Sequence, residues 1–187
     1  MPSVTALPVD SNNSGTFNEK VQAQKALAND ENYCNLTTNA STAAGEIAIF
    51  SDWDDIASEL PADSTVNGVQ ALLPEYFGNI SQCQIKISVD GGSNYEDYKS
   101  VDLSGMTKGG DSAVSTPSAT NDLWNLDWSG ISNWDNVWVY ITVDGGTATR
   151  ELYFDYVQLR VHYTLPTPSK MLTINGSLTV NSNFIIK

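Results

Sequence analysis

The chain has 187 residues, enough for one full hydrophobic core with short additions. Nine Lys and Arg against 22 Asp and Glu give a formal net charge of -13, which opposes binding to a phosphate backbone, so no nucleic-acid partner is expected. No apolar run approaches the ~20 residues that cross a bilayer, and the first residues lack the basic start and apolar centre of a signal peptide, so no membrane partner is expected either.

Residues 1–15 carry Pro2, Pro8 and the stretch Ser11-Asn12-Asn13-Ser14-Gly15, which reads as an extended arm outside the core. Residues 19–30 gather helix formers, yet Val21, Ala23 and Lys25 also alternate with Gln22, Gln24 and Ala26. Helix and strand both stay open there, with strand favoured because Tyr33, Cys34 and Leu36 follow at once. Residues 45–50 form a short apolar run closed by Ser51-Asp52-Trp53-Asp54-Asp55, and Pro61-Ala62-Asp63-Ser64 is a turn. Over 65–74, Val66, Val69, Leu72 and Leu73 alternate imperfectly, the mark of a bulged or interrupted strand. Residues 84–89 alternate cleanly through Ile85, Ile87 and Val89 and end on Asp90-Gly91-Gly92, where glycines can supply the positive φ of a tight turn.

The Gly-, Ser-, Thr- and Asp-rich stretch 104–122 predicts a long surface loop, after which Leu123-Trp124-Asn125-Leu126-Asp127-Trp128 restores the apolar density needed to seal an open sandwich edge. Val137, Val139, Ile141 and Val143 then share one face of a strand, with Trp138, Tyr140 and Thr142 on the other. Asp144-Gly145-Gly146 repeats the earlier turn chemistry. Residues 151–164 read as one further strand, with Tyr153, Val157, Leu159, Val161 and Tyr163 opposite Phe154, Tyr156, Gln158, Arg160 and His162. About eight alternating strands with irregular loops predict an all-β fold, a two-layer antiparallel β-sandwich over 16–164 with jelly-roll connections. After the linker Leu165-Pro166-Thr167-Pro168-Ser169, the last residues make a short strand-turn repeat around Asn175-Gly176. A ribbon of that size is marginal alone. Leu172, Ile174, Leu178, Val180, Phe184, Ile185 and Ile186 therefore make 165–187 a candidate assembly tail.

Candidate chemistry is sparse. His162 is the single imidazole, on the polar side of what reads as an edge-like strand, and no nucleophile is placed beside it, so no catalytic residues and no enzymatic activity are expected. Asp52, Asp54 and Asp55 could offer oxygen ligands to calcium, but they lack an ordered ligand loop, and solvated loop charge is the simpler account. No cofactor is expected. The spacing of Cys34 and Cys83 fits neither a redox pair nor a zinc site, and leaves two buried thiols or one bridge open. Five tryptophans, Trp53, Trp124, Trp128, Trp134 and Trp138, raise the alternative of a carbohydrate-binding module, with Trp138 the candidate surface platform because it faces away from the valines of its strand.

Four segments in order carry a resemblance: Ala28-Asn29-Asp30-Glu31-Asn32-Tyr33, the stretch 56–69 from Ile56-Ala57-Ser58-Glu59-Leu60-Pro61 to Asn67-Gly68-Val69, Asn121-Asp122-Leu123-Trp124-Asn125-Leu126-Asp127-Trp128, and the stretch 152–164 from Leu152-Tyr153-Phe154-Asp155-Tyr156 to His162-Tyr163-Thr164. Over about 16–164 the chain resembles a β-sandwich domain of tail, fibre and other structural proteins of tailed bacteriophages. It departs at Pro74, where a clean strand would continue, and at Asn125, where the pattern has glycine. The resemblance implies a non-enzymatic virion structural protein, of capsid-decorating or head-fibre base type. Its implied partners are capsid or tail proteins and copies of itself, with a trimer favoured, and its implied location is the virion. A receptor-binding fibre or tail domain is the other role the resemblance allows.

Overall fold

A computed structural model describes residues 1–14, 26–28, 30, 32–38, 47–74, 76–80, 82–94, 98–103, 119–143 and 150–166. These residues contain the strands β1 (Ser3–Ala6), β2 (Asp10–Ser14), β3 (Cys34–Thr38), β4 (Ile47–Ser51), β5 (Thr65–Leu72), β6 (Tyr76–Gly78), β7 (Gln82–Ser88), β8 (Lys99–Asp102), β9 (Trp138–Thr142), β10 (Arg150–Phe154) and β11 (Gln158–Thr164). The helix α1 (Asp54–Glu59) and a single 3₁₀ turn at Trp134–Asn136 complete the described elements. The fold is all-β, as the alternating runs predict.

Every pairing among the described residues is antiparallel. One sheet has the order β2-β4-β9-β7-β8, and two three-stranded sheets have the orders β1-β11-β5 and β3-β10-β6. Their inner faces share one core. Ala48, Phe50, Ile85, Ile87, Val139 and Ile141 come from the five-stranded sheet, and Leu36, Val69, Ala71, Leu152, Phe154, Leu159 and Val161 from the other two. Phe50 of β4 meets Phe154 of β10 edge to face, ring centres 6.0 Å apart, which ties the two layers together. Each fully buried Val, Ile or Phe contributes roughly 1.5–3 kcal/mol before the entropy of ordering is subtracted.

Three elements differ from expectation. The expected N-terminal arm supplies two strands: β1 pairs with β11, Val4 and Ala6 are buried, and β2 pairs with β4. Backbone pairing does not need an apolar side chain at every position, which is why the polar stretch at 11–14 gave no strand signal. Second, 151–164 is two strands in two sheets. The chain turns a corner at Asp155-Tyr156-Val157, and the inward phase shifts from Leu152 and Phe154 to Val157, Leu159 and Val161. Tyr153 consequently faces outward, not into the core. Third, α1 interrupts the acidic stretch. It is six residues long, and among its described side chains Ile56 alone is buried, too little for a 3.6-residue period to register in sequence.

The imperfect alternation of β5 is a bulge. His162 faces Gly68 while Tyr163 faces Val66, so Asn67 is the extra residue, and its Nδ2 donates to Thr164 Oγ1 at 2.7 Å. The open edge of β5 is closed as expected by the Leu123–Trp128 stretch and the residues before it. Val69 N donates to the Asp122 carbonyl at 2.9 Å, and Trp124 Nε1 donates to the Val69 carbonyl at 2.8 Å. Thr120 and Asn121 press so closely on β5 that only glycine fits at 68. Trp124 and Asn125 both take left-handed φ, 56° and 50°, to turn the indole back onto the edge.

Candidate interaction surfaces

The structure revises the setting of His162. Its strand is central, with β1 on one side and β5 on the other, and the imidazole is 7 % exposed. An amide oxygen only accepts, so Nε2 carries the proton and donates to Gln70 Oε1 at 2.7 Å. Arg160, two residues along the same face, donates from Nε to Thr5 Oγ1 at 3.1 Å. Burial, then the Arg160 charge and the N-terminal amine, hold the imidazole below its ordinary pKa. His162 is thus a cross-strand bonding residue, and the expectation of a surface position on an edge strand fails because β1 was not foreseen.

The other sequence candidates occupy local structural positions. Asp52 takes a left-handed φ of 62° and its carbonyl accepts Val9 N at 2.9 Å, tying the chain after β4 to the residue before β2. Asp54 opens α1, and Asp55 is exposed on it. Among the described residues no three His, Cys, Asp or Glu side chains gather where they could hold a metal ion. Cys34 and Cys83 are unbridged and buried, and burial pushes the Cys83 thiol up to about 12. Asp90 anchors the turn after β7. It accepts Asn94 N at 2.7 Å and bonds Ser88 Oγ at 2.9 Å, and the Asn94 bonds above all hold its carboxyl below the usual range. Gly91 and Gly92 there have φ of 68° and 86°, as the turn chemistry requires, while Asp144-Gly145-Gly146 lies outside the described residues.

Trp138 is half-buried and not an open platform. Its Nε1 donates to the Asp135 carbonyl at 3.1 Å, and Tyr140 lies beside it with ring centres 6.2 Å apart. The Gly92 turn folds against the indole, where a Cβ would come within 3.0 Å of Trp138 Cε3. Next to this pair, Lys86 Nζ sits 4.7 Å from the ring centres of both Tyr98 and Tyr140, a cation held by two aromatic faces on the outer side of the five-stranded sheet.

Two aromatic features were not foreseen as surfaces. On the outer face of β3-β10-β6, Phe77 and Tyr153 are register partners stacked with ring centres 4.8 Å apart at 4°, and Tyr33 meets Phe77 edge-on at 4.8 Å. All three are half-buried, and burial first, then Glu151 beside it, hold the Tyr153 phenol above its ordinary pKa. Reading 151–164 as a single strand hid this strip by placing Tyr153 inside. The second feature is a cleft of about 340 Å³ between the α1–β5 connection and the loop 128–134. Leu60, Val66, Trp128, Ile131 and Trp134 make its apolar lining, with Asp63 and Ser132 exposed at the rim. Trp128 and Trp134 stack with ring centres 6.0 Å apart at 27°, and Trp128 Nε1 is satisfied by the Leu123 carbonyl at 2.8 Å. The sequence signal was the density of tryptophan around 124–138.

The tail candidates Leu172, Ile174, Leu178, Val180, Phe184, Ile185 and Ile186 lie outside the described residues. No protein-family model, curated protein or solved structure matches the chain.

Proposed function

We propose that this chain is a non-enzymatic virion structural protein of capsid-decorating or head-fibre base type, which binds a capsid or tail surface and other copies of itself, with a trimer as its working state. The observation that carries the reading is that the second, third and fourth resemblance-bearing segments meet at β5 and β11, while the first meets the fourth at β10. The third segment seals β5 through Asp122 and Trp124, and β5 pairs along its length with β11 of the fourth. The second contributes α1 and β5 themselves, and Tyr33 of the first reaches Tyr153 of the fourth through Phe77. Three of the four segments thus build the β5–β11 pair and close one side of it. Jelly-roll connections are the matching topology, supported by nested pairing in which β1 meets β11, β3 meets β10 and β4 meets β9. The test is to purify the particles whose genome encodes this chain and count its copies by mass spectrometry and reconstruction. A fixed, stoichiometric copy number supports the reading, and absence from intact particles overturns it.

The competing reading is a carbohydrate-binding module, favoured by the half-buried Phe77–Tyr153 strip beside Glu151. Glycan-array binding lost on Tyr153→Ala or Trp138→Ala, with no association to particles, would put that reading first.

A further inference from the structure

We infer that the cleft floored by Trp128 and Trp134 is the receptor for the C-terminal segment 167–187 of a neighbouring copy of this chain. The inference rests on the self-assembly half of the proposed function and names the surface that serves it.

Three observations choose this occupant. First, the described chain ends at the mouth of the cleft. Thr164 pairs with Thr65, whose neighbours Ser64 and Val66 are lining residues, and Leu165 is exposed just beyond. Second, the chemistry is complementary. The segment 167–187 carries Lys170 and Lys187 and none of the 22 acidic residues in a chain of net charge -13. The side it would meet presents Asp63 at the rim and Glu59 at the end of α1, both exposed. Its apolar residues, Leu172 and Leu178 among them, match a lining of Leu60, Val66, Ile131 and two indoles. Third, the connection favours a neighbour over the chain's own cleft. In Leu165-Pro166-Thr167-Pro168 two prolines hold φ near -65° and bias the residues before them to extended backbone, so the linker advances at about 3.1 Å per residue. A restricted linker of that kind opposes an immediate fold-back into the cleft beside which it starts, which favours a neighbouring copy as the donor. Head-to-tail delivery from each copy to the next closes into a ring, which a trimer satisfies.

Ser132 and Ala62 are exposed at the cleft, so arginine at either position blocks it and repels a basic tail without disturbing the core. The test measures mass in solution at micromolar concentration for the full chain, for Ser132→Arg, Ala62→Arg and Leu178→Asp, and for Ser100→Arg on β8 as a control away from the cleft. Far-UV spectra confirm that each variant is folded. The wild type and the control are expected to be multimers, and the three other variants to fall to the single-chain mass of 20.3 kDa. A wild type of single-chain mass overturns the inference, since the tail would then fill its own cleft or none. A multimer that survives both arginine variants also overturns it. Occupancy on particles, read on the same proteins, separates this inference from the virion reading. Wild type on particles with cleft variants still multimeric defeats the receptor alone. Cleft variants reduced to single chains while wild type is absent from particles support the receptor and defeat the virion reading.

Discussion

A Cβ at position 68 would lie 2.2 Å from the Thr120 carbonyl oxygen and 2.8 Å from Asn121 Cα, both of them backbone. Nothing at the far end of a flexible side chain can yield there, so the strip that closes β5 must lift. Gly68→Ala is expected to cost about 1–3 kcal/mol, read as a lower urea midpoint, with Trp124 emission shifting red as its indole loses the Val69 carbonyl. Asn125 makes the opposite prediction. It holds a φ of 50°, which asparagine tolerates and glycine takes freely. Asn125→Gly should leave the midpoint unchanged within about 0.5 kcal/mol, whereas Asn125→Val should lose about 1–2 kcal/mol. His162 gives a pH signature. Its folded pKa is held below the ordinary 6.5, so the unfolded chain takes up the proton first as pH falls. The stabilisation is complete above the unfolded value and is lost as pH drops through it toward the folded one. Between about pH 7.5 and pH 5.5 the wild-type midpoint should fall more steeply than that of His162→Gln. Equal slopes would show that the imidazole is not shielded.

At the scale of elements, legibility followed the size of the apolar signal. β9 was readable residue by residue, since Val137, Val139, Ile141 and Val143 are all fully buried, and the bulge in β5 and the seal at 123–128 were readable from broken alternation and aromatic density. β1 and β2 were not, because a short strand against an existing edge draws its pairing from the backbone. The break between β10 and β11 was invisible for a different reason. Alternation reports which face a side chain takes, not which sheet it belongs to, and 151–164 is apolar enough to look continuous through a corner. The outward strip of Phe77 and Tyr153 was lost with it. The place of β1 is open to a direct check. Val4 is 7 % exposed within the core, so Val4→Asp should destabilise the domain by about 2–5 kcal/mol, measured by chemical denaturation. A mutation in a detached arm would leave the midpoint where it was.

At the scale of the molecule, fold class was legible because period-two patterning recurs in most elements, whereas the interaction surfaces were not, because each is assembled from distant segments. The Trp128–Trp134 cleft needs the connection after α1, and the aromatic strip needs residues from three places in the chain. The same remoteness has a consequence during synthesis. Thr5 and Arg160, which bond across β1 and β11, stand 155 residues apart, and β3 waits in the same way for β10. On the ribosome the early strands therefore emerge long before their partners exist, with Val4, Ala6 and Leu36 exposed in the meantime. Closing loops of that length is slow and leaves apolar edges open to other nascent chains. Stopped-flow refolding should accordingly proceed in milliseconds to seconds, not microseconds. Only when β11 has emerged can the sandwich close, because β1 and β5 both take their pairing from it and, among the described residues, neither has a strand partner until then.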